Sequence, residues 1–453
     1  MKFILLLWLA KLLAAAINII APQRGTNYSG DFAVKRMPDF VAHFKGIDYQ
    51  KVIFITGTNG KSSTNNLVGH TLTSAGKRIA SNIEGANMMG GVATTLVKNS
   101  SLFGKFNKEY LVLEIDERSL PGIRKVLPAA HMGITNLQKD QVQRNGDPDF
   151  ILRKFRGAIG KDMTLYLNNE EPRSHSLEDC AGKAIFFGVA PNSKTYQAND
   201  FYHVTLPCPK CGHPIAFSQY HLSSIGTFRC TSCGYQSRKK PDVLAEDIDF
   251  EGMSFRCDGR TWSFTYGNPF YIYNYAMDIA ICRNLGLTDE QIHKAIAEFV
   301  NPAHRRSAMT YRGKNIRYFL MKQENPETLQ SALDTIAEDK SEKAILICLS
   351  VVRDFLPYYT NSFYFHDCDF APVASTPVER YVVFSNAVSY DTANRIRYAG
   401  APEEKITVLD TDDIPTVFAE LDKIKTKNIY LLTNMVPYKK FKAYLTQGGG
   451  NNG

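Results

Sequence analysis

The sequence predicts an α/β protein: a central phosphate-loop domain carrying an inserted four-cysteine ribbon, followed by a Rossmann-like C-terminal domain. Three observations predict it. A short apolar run, Val52 to Ile55, passes directly into Gly57-Thr58-Asn59-Gly60-Lys61-Ser62-Ser63 and then into a helix-compatible stretch. Two CxxC pairs, Cys208/Cys211 and Cys230/Cys233, lie within one central stretch. Further apolar runs alternate with helical stretches to the end of the chain, the pattern of a mostly parallel sheet covered by helices.

The first element is residues 1–21, MKFILLLWLAKLLAAAINIIA. It is apolar enough to raise a signal peptide or membrane span. Lys11 in its middle disfavours a span, because a charge at the bilayer centre costs about 2.5–3.5 kcal/mol on insertion scales. No A-x-A-like cleavage site follows, and the chain leads on to a nucleotide-binding strand. An amphipathic helix that packs on the domain or rests on a membrane surface is expected.

The Gly57–Ser63 loop comes next. Glycines let backbone N–H groups approach phosphate oxygens, and a helix N-terminus favours negative charge. Lys61 reaches the outer phosphates, and a hydroxyl of Ser62 or Ser63 can hold Mg²⁺. Gly57 and Gly60 stand only three apart, two residues closer than in the usual G-x-x-x-x-G-K-[ST]. The competing reading is a strand–turn–helix with a surface lysine. A second strand, Tyr110 to Ile115, ends in Glu114, Asp116 and Glu117, at the strand end where doubly wound sheets place metal and ligand groups. One of the three is expected to hold Mg²⁺, directly or through water, and Glu114 is the candidate. The alternative for each is a charged strand-to-helix turn. Strands at His131–Ile134 and Thr164–Leu167 follow.

Each cysteine pair sits in a knuckle, CPKCGH or CTSCGY. The trailing glycine relieves strain and leaves amides near sulfur. Four thiolates at this spacing close a tetrahedral structural Zn²⁺ site with no open position. Nucleic-acid binding is the rival use, since Arg238-Lys239-Lys240 follows, but no aromatics interleave for base stacking, and no nucleic-acid partner is expected. The other five cysteines lack such partners, and nine in a chain of 453 residues suit a reducing, cytoplasmic compartment. The net charge of +8 would suit an anionic substrate or a membrane surface, but a scattered solvated face is the expected reading. The composition, 44% hydrophobic and 22% charged, is ordinary globular.

The GTNGKSS loop, the strand-end Glu114, TNLxxD at 135–140 and Tyr273-Asn274 together resemble the Mur ligase family. Within it, Ser81–Asn87, LEIDE at 113–117, NLQKDQVQRNGD at 136–147 and the ribbon resemble the MurT branch, the synthetase subunits that work with a GatD-type glutaminase. The resemblance covers most of residues 20–310 and part of the C-terminal third. It implies a Mur ligase-like central domain and ATP-dependent amidation of the D-glutamate α-carboxylate of lipid II through an acyl phosphate. Ammonia would come from a GatD-like partner. Peptide-forming relatives carry a histidine where Gln141 stands; MurT proteins usually do not.

By the same resemblance, Asn274 faces the adenine side of the nucleotide, with a plain helix cap as the alternative. Arg305 or Arg306 matches the family's hinge arginine near the phosphates. Asp354 matches the aspartate that orients the partner glutaminase's histidine, with Asp367 or Asp369 as alternatives. The expected segments are a leader with an N-terminal helix over 1–45, the ATP-binding domain over 46–304 with its ribbon at 203–240, the Rossmann-like domain over 305–447, and a disordered tail, 448–453. Strands are expected at Lys343–Leu349, Arg380–Ser385, Ile406–Leu409 and Asn428–Thr433. The C-terminal third departs from the MurT pattern at LSVVRDFLPYYTNS, MKQENPE and TNMVPY. A Mur-like ligase that acts alone on another amine or amino acid therefore stays open as the alternative.

Overall fold

The computed structural model describes residues 1–20, 27–82, 86–197, 206–301, 306–322, 324–349, 363–385 and 387–446. By contact the chain divides into two units. One comprises Met1–Gln138, Asn145–Ala198 and His203–Ala303; the other comprises Lys139–Arg144, Asn199–Tyr202 and His304–Gly453.

The first unit is built on a nine-stranded sheet. Its strands are β1 (Val52–Thr56), β2 (Ile79–Ser81), β3 (Tyr110–Glu114), β4 (His131–Ile134), β5 (Thr164–Asn168) and β6 (Lys183–Val189), all parallel, extended by β10 (Val243–Asp249), β11 (Ser254–Cys257) and β12 (Arg260–Ser263). Strands β7 (Leu206–Pro207), β8 (Pro214–Leu222) and β9 (Ile225–Cys230) form the separate ribbon sheet. The order is β12-β11-β10-β6-β5-β4-β1-β3-β2, with β10-β11-β12 antiparallel. Strand β1 is buried throughout because both faces of the sheet are covered, hence its continuous apolar run.

On one face, helices α1 (Lys2–Ile20), α2 (Tyr28–Arg36) and α4 (Met89–Lys98) share a core in which Leu6, Leu7 and Ala10 join Phe40, Val52 and Phe54. On the other face, α3 (Lys61–Ser74) and the Pro269–Asn284 helix close over Ile53, Ile55 and Tyr166. Strand β1 lies between β3 and β4, so its carboxyl end opens at the point where strand order reverses, the usual ligand crevice of such sheets.

The second unit holds a six-stranded sheet in the order β13-β14-β18-β15-β16-β17. It is parallel over β15 (Lys343–Cys348), β16 (Val378–Phe384), β17 (Ile406–Leu409) and β18 (Asn428–Thr433), close to the expected strands. The hairpin of β13 (Arg306–Tyr311) and β14 (Lys314–Leu320) extends it; β14 runs parallel to β18 and β13 antiparallel to β14. Neither strand was expected, because RSAMTY and KNIRYFL are broken by polar residues and lack the long apolar run that marks a doubly covered strand.

Candidate active site

The loop after β1 is shaped by two glycines in conformations that suit only glycine. Gly57 has φ +117°, and a Cβ there would strike Thr135; Gly60, in the left-handed region at +88°, begins α3. Between them the backbone is laced to the segment after β4. The Thr58 and Asn59 amides donate to the Asn136 carbonyl and to Asn136 Oδ1 at 2.8 and 2.9 Å. Asn59 Nδ2 donates to Gln138 Oε1 at 3.0 Å, and the Gln138 amide donates to Thr58 Oγ1 at 3.0 Å. The turn is therefore held rigid before any ligand arrives, which lowers the cost of ordering it around phosphate.

Lys61 is buried at the first turn of α3. Its ammonium pairs with Glu117 at 2.9 Å and donates to the carbonyls of Gly57 and Thr58. Glu114 ends β3, in register with Ile55 of β1. Its backbone exchanges two 2.8 Å hydrogen bonds with Asn82, and Asn87 Nδ2 donates to Glu114 Oε1 at 2.9 Å. Asp116 is committed to the turn, since its Oδ1 accepts from the Arg118 and Ser119 amides. Ser62 is half-buried on the N-terminal turn, and Ser63 Oγ accepts from Asn301 at 3.1 Å. The glycine cradle, a buried lysine and two buried carboxylates suit a nucleotide polyphosphate with its divalent cation.

A crevice opens beside this loop, lined by Asn136, Asn168, Phe187, Ile225, Phe270 and Asn274. The Pro269–Asn284 helix is capped by Asn268, whose side chain accepts from the Phe270 amide. Asn274 therefore sits inside the helix and is not a cap. Its Oδ1 lies 2.7 Å from where a Cβ on Gly60 would be, so it abuts the phosphate loop as well as the crevice. Next to it, Tyr273 bonds His221 at 3.0 Å and Glu170. Burial pushes the Glu170 carboxyl up to about 7 and the His221 imidazole down to about 4.

The ribbon brings Cys208, Cys211, Cys230 and Cys233 together, with sulfurs all within 4.8 Å of one another. Gly212 and Gly234 follow the knuckles at φ +80° and +73°. Amides of Cys233 and Ser232 donate to Cys230 Sγ and hold its thiol down, to about 6. Four convergent thiols with amides on sulfur fit a closed Zn²⁺ site. The ribbon is anchored through Tyr235, whose hydroxyl meets the Pro172 carbonyl at 2.6 Å and His175 at 3.1 Å. Arg238, first of the basic run, is used locally: it pairs with Glu178 at 2.6 Å and stacks on Phe186.

The Mur ligase middle domain matches residues 55–228, and the MurT ligase C-terminal domain matches residues 321–436. Relatives of similar length include the lipid II isoglutaminyl synthase (glutamine-hydrolyzing) subunits MurT of two species. That of Staphylococcus aureus is 26% identical over 379 residues, 83% of each chain. That of Streptococcus pneumoniae is 25% identical over 430 residues, 93% of this chain and 92% of the relative.

The chain is a MurT-like Mur ligase.

As such it is an ATP-dependent ligase, and ATP and Mg²⁺ are the cofactors that Mur ligases imply. Solved structures agree on the fold. A pseudomurein peptide ligase type C from Methanothermus fervidus superposes with a TM-score of 0.65 at 17% identity, covering 90% of this chain and 80% of that one. MurF from Thermotoga maritima in complex with ADP gives 0.58 at 15%, covering 92% and 84%.

Of the residues singled out in the sequence, this Mur ligase brings Gly57, Thr58, Asn59, Gly60, Lys61, Ser62, Ser63 and Asn274 to one end of the sheet, with Glu114 beside them. Arg305 and Asp354 lie outside the described residues. Of the alternatives to Asp354, Asp367 pairs with Lys139 at 2.9 Å, and Asp369 Oδ1 accepts from the Ala371 amide at 2.9 Å. Sequence reasoning missed the bracing by Asn136 and Gln138, although the TNLQ motif that carries them was in view. It also missed a cluster within the second unit, where Asp140 pairs with Lys322 and accepts from Asn325 Nδ2 at 3.1 Å.

Proposed function

We propose that this Mur ligase amidates a peptidoglycan precursor: the D-glutamate α-carboxylate of the lipid II stem peptide becomes a carboxamide at the expense of ATP. The observation that carries the reading is the rigid glycine loop with Lys61 and paired carboxylates, in a chain matched along most of its length by MurT subunits.

A carboxylate is a poor electrophile, so it must gain a leaving group. One of its oxygens attacks the γ-phosphorus of ATP, ADP departs with the P–O electron pair, and an acyl phosphate forms. Ammonia then attacks the acyl carbon, loses a proton, and phosphate leaves with the C–O electrons. Lys61 and the loop amides neutralise charge moving onto phosphate oxygens. Mg²⁺ bound through Ser62 and Glu114 would add positive charge at the same oxygens. Thr58, Asn59 and Ser63 complete the phosphate cradle, Asn274 supports the adenine side, and Arg305 is the residue that the family resemblance assigns to the phosphates. Zn²⁺ on the four cysteines is structural.

Ammonia comes from glutamine on a GatD-like glutaminase subunit, with Asp354 orienting that partner's histidine. The reaction belongs to the cytoplasmic side, where ATP is available. The test supplies the chain with ATP, Mg²⁺, ammonium and lipid II and follows phosphate release with the mass change from carboxylate to carboxamide. Both are expected. A product formed with an amino acid but not with ammonia would instead assign a stand-alone ligase.

A further inference from the structure

Helix α1 presents two different faces. Its inner face belongs to the core of the first unit: Leu6, Leu7, Ala10 and Ala14 are buried, and Phe3 packs on the rings of Phe40, His43 and Phe44. Lys11 is turned inward, where its ammonium donates to the carbonyls of Val97 and Ser100, the latter at 2.7 Å. The outer face is an unbroken apolar stripe of Leu5, Trp8, Leu9, Leu12 and Ile19, with Leu12 68% and Ile19 84% exposed. The loop after α4 continues it. Trp8 Nε1 donates to the Leu102 carbonyl at 2.8 Å, Gly104 is packed against Phe3, and Phe103 stands 72% exposed.

Along the two segments that carry this patch the charge has one sign. No acidic residue occurs in residues 1–20 or 96–108, whereas Lys2, Lys98 and Lys105 are exposed and Lys108 half-exposed. An apolar face of this breadth, on segments that carry lysines and no carboxylate, matches an anionic bilayer surface, where apolar side chains enter the headgroup boundary and lysines meet lipid phosphates.

We propose that the outer face of α1, with Leu102 and Phe103, docks this enzyme on anionic phospholipid membranes. The helix lies in the plane of the interface and does not cross. By length and composition it could span. Crossing, however, would strip Leu6, Leu7 and Ala10 from the core they share with Val52 and Phe54 and carry Lys11 away from two carbonyls. The docking stands apart from the amidation reading, since it requires neither nucleotide nor partner subunit.

The test is flotation of the full chain with vesicles of phosphatidylcholine alone or mixed with phosphatidylglycerol. Trp8 fluorescence reports in parallel, because the only other tryptophan, Trp262, is fully buried. Expected are co-flotation with the anionic vesicles, weakened by salt, and a blue shift of the emission. Leu12→Glu with Phe103→Glu should abolish binding without lowering the melting temperature, both side chains being solvent-facing. Lys98→Glu and Lys105→Glu should each weaken it about fivefold. Flotation with neither vesicle, or undiminished flotation of the double variant, would overturn the proposal. So would a concentration-dependent dimer that the double variant dissolves without any vesicle binding, which would make a second copy the occupant.

Discussion

At the scale of single residues, Lys61 carries the most chemistry. A buried ammonium must be paired, and Glu117 with two carbonyls supplies the pairing. Lys61→Met keeps the stem and removes the charge, and ATP turnover should fall about 10²–10³-fold, the usual cost of losing one preorganised charge donor. Steady-state phosphate release measures it. Gly60→Ala forces a Cβ into a left-handed turn against Asn274 and should cost about 1–2 kcal/mol in thermal stability. The loop was legible residue by residue because glycine, lysine and serine at that spacing serve one physical purpose. The choice among Glu114, Asp116 and Glu117 was not. Neighbouring carboxylates at a strand end look alike in sequence, and only the chain path shows that Glu117 meets Lys61, Glu114 meets Asn87 and Asp116 holds the turn.

At the scale of elements, the ribbon does more than close on its four thiols. Its β8–β9 hairpin carries Ser224, which accepts from Gln138 at 3.3 Å, and Ile225, which lines the crevice; the Gly226 amide donates to the Glu170 carbonyl at 2.9 Å. Metal analysis should find about one zinc per chain. Chelation or Cys211→Ser should lower both the melting temperature and the affinity for ATP, read by calorimetry, because the hairpin braces the loop's own brace. That link was invisible in sequence: the spacing of the CxxC pairs announces a metal, but nothing in PIAFSQYHL announces where the hairpin tip lands. Likewise β1, β3, β4 and β5 were legible as apolar runs, whereas the β13–β14 hairpin was not.

The Pro269–Asn284 helix adds a pH signature. Asp278 is fully buried against Thr71 at 2.8 Å, and burial pushes its carboxyl from 3.8 to about 7. The folded chain then keeps a proton that the unfolded chain has lost. This contribution is complete below the unfolded value and disappears as pH climbs through about 7, with a slope of at most about 1.4 kcal/mol per unit. Buried His175 and His221, held neutral, act in the opposite sense as pH falls below 6.5. A difference measurement separates them: across pH 4 to 7, Asp278→Asn should gain melting temperature relative to the parent chain.

At the scale of the whole molecule, two sheets of different design share one chain. The larger holds the phosphate loop at its strand-order reversal; the unit built on the smaller holds Asp140 and Lys322 in one cluster. Ligases that activate a carboxylate must first hold a triphosphate, and every later step depends on that grip. The most direct measurement is therefore calorimetric titration of the full chain with ATP and Mg²⁺, alongside Lys61→Met. Saturable binding at micromolar to sub-millimolar nucleotide, lost or strongly weakened in the variant, is the predicted result. No association of the parent chain at millimolar nucleotide, or equal binding by the variant, would contradict it.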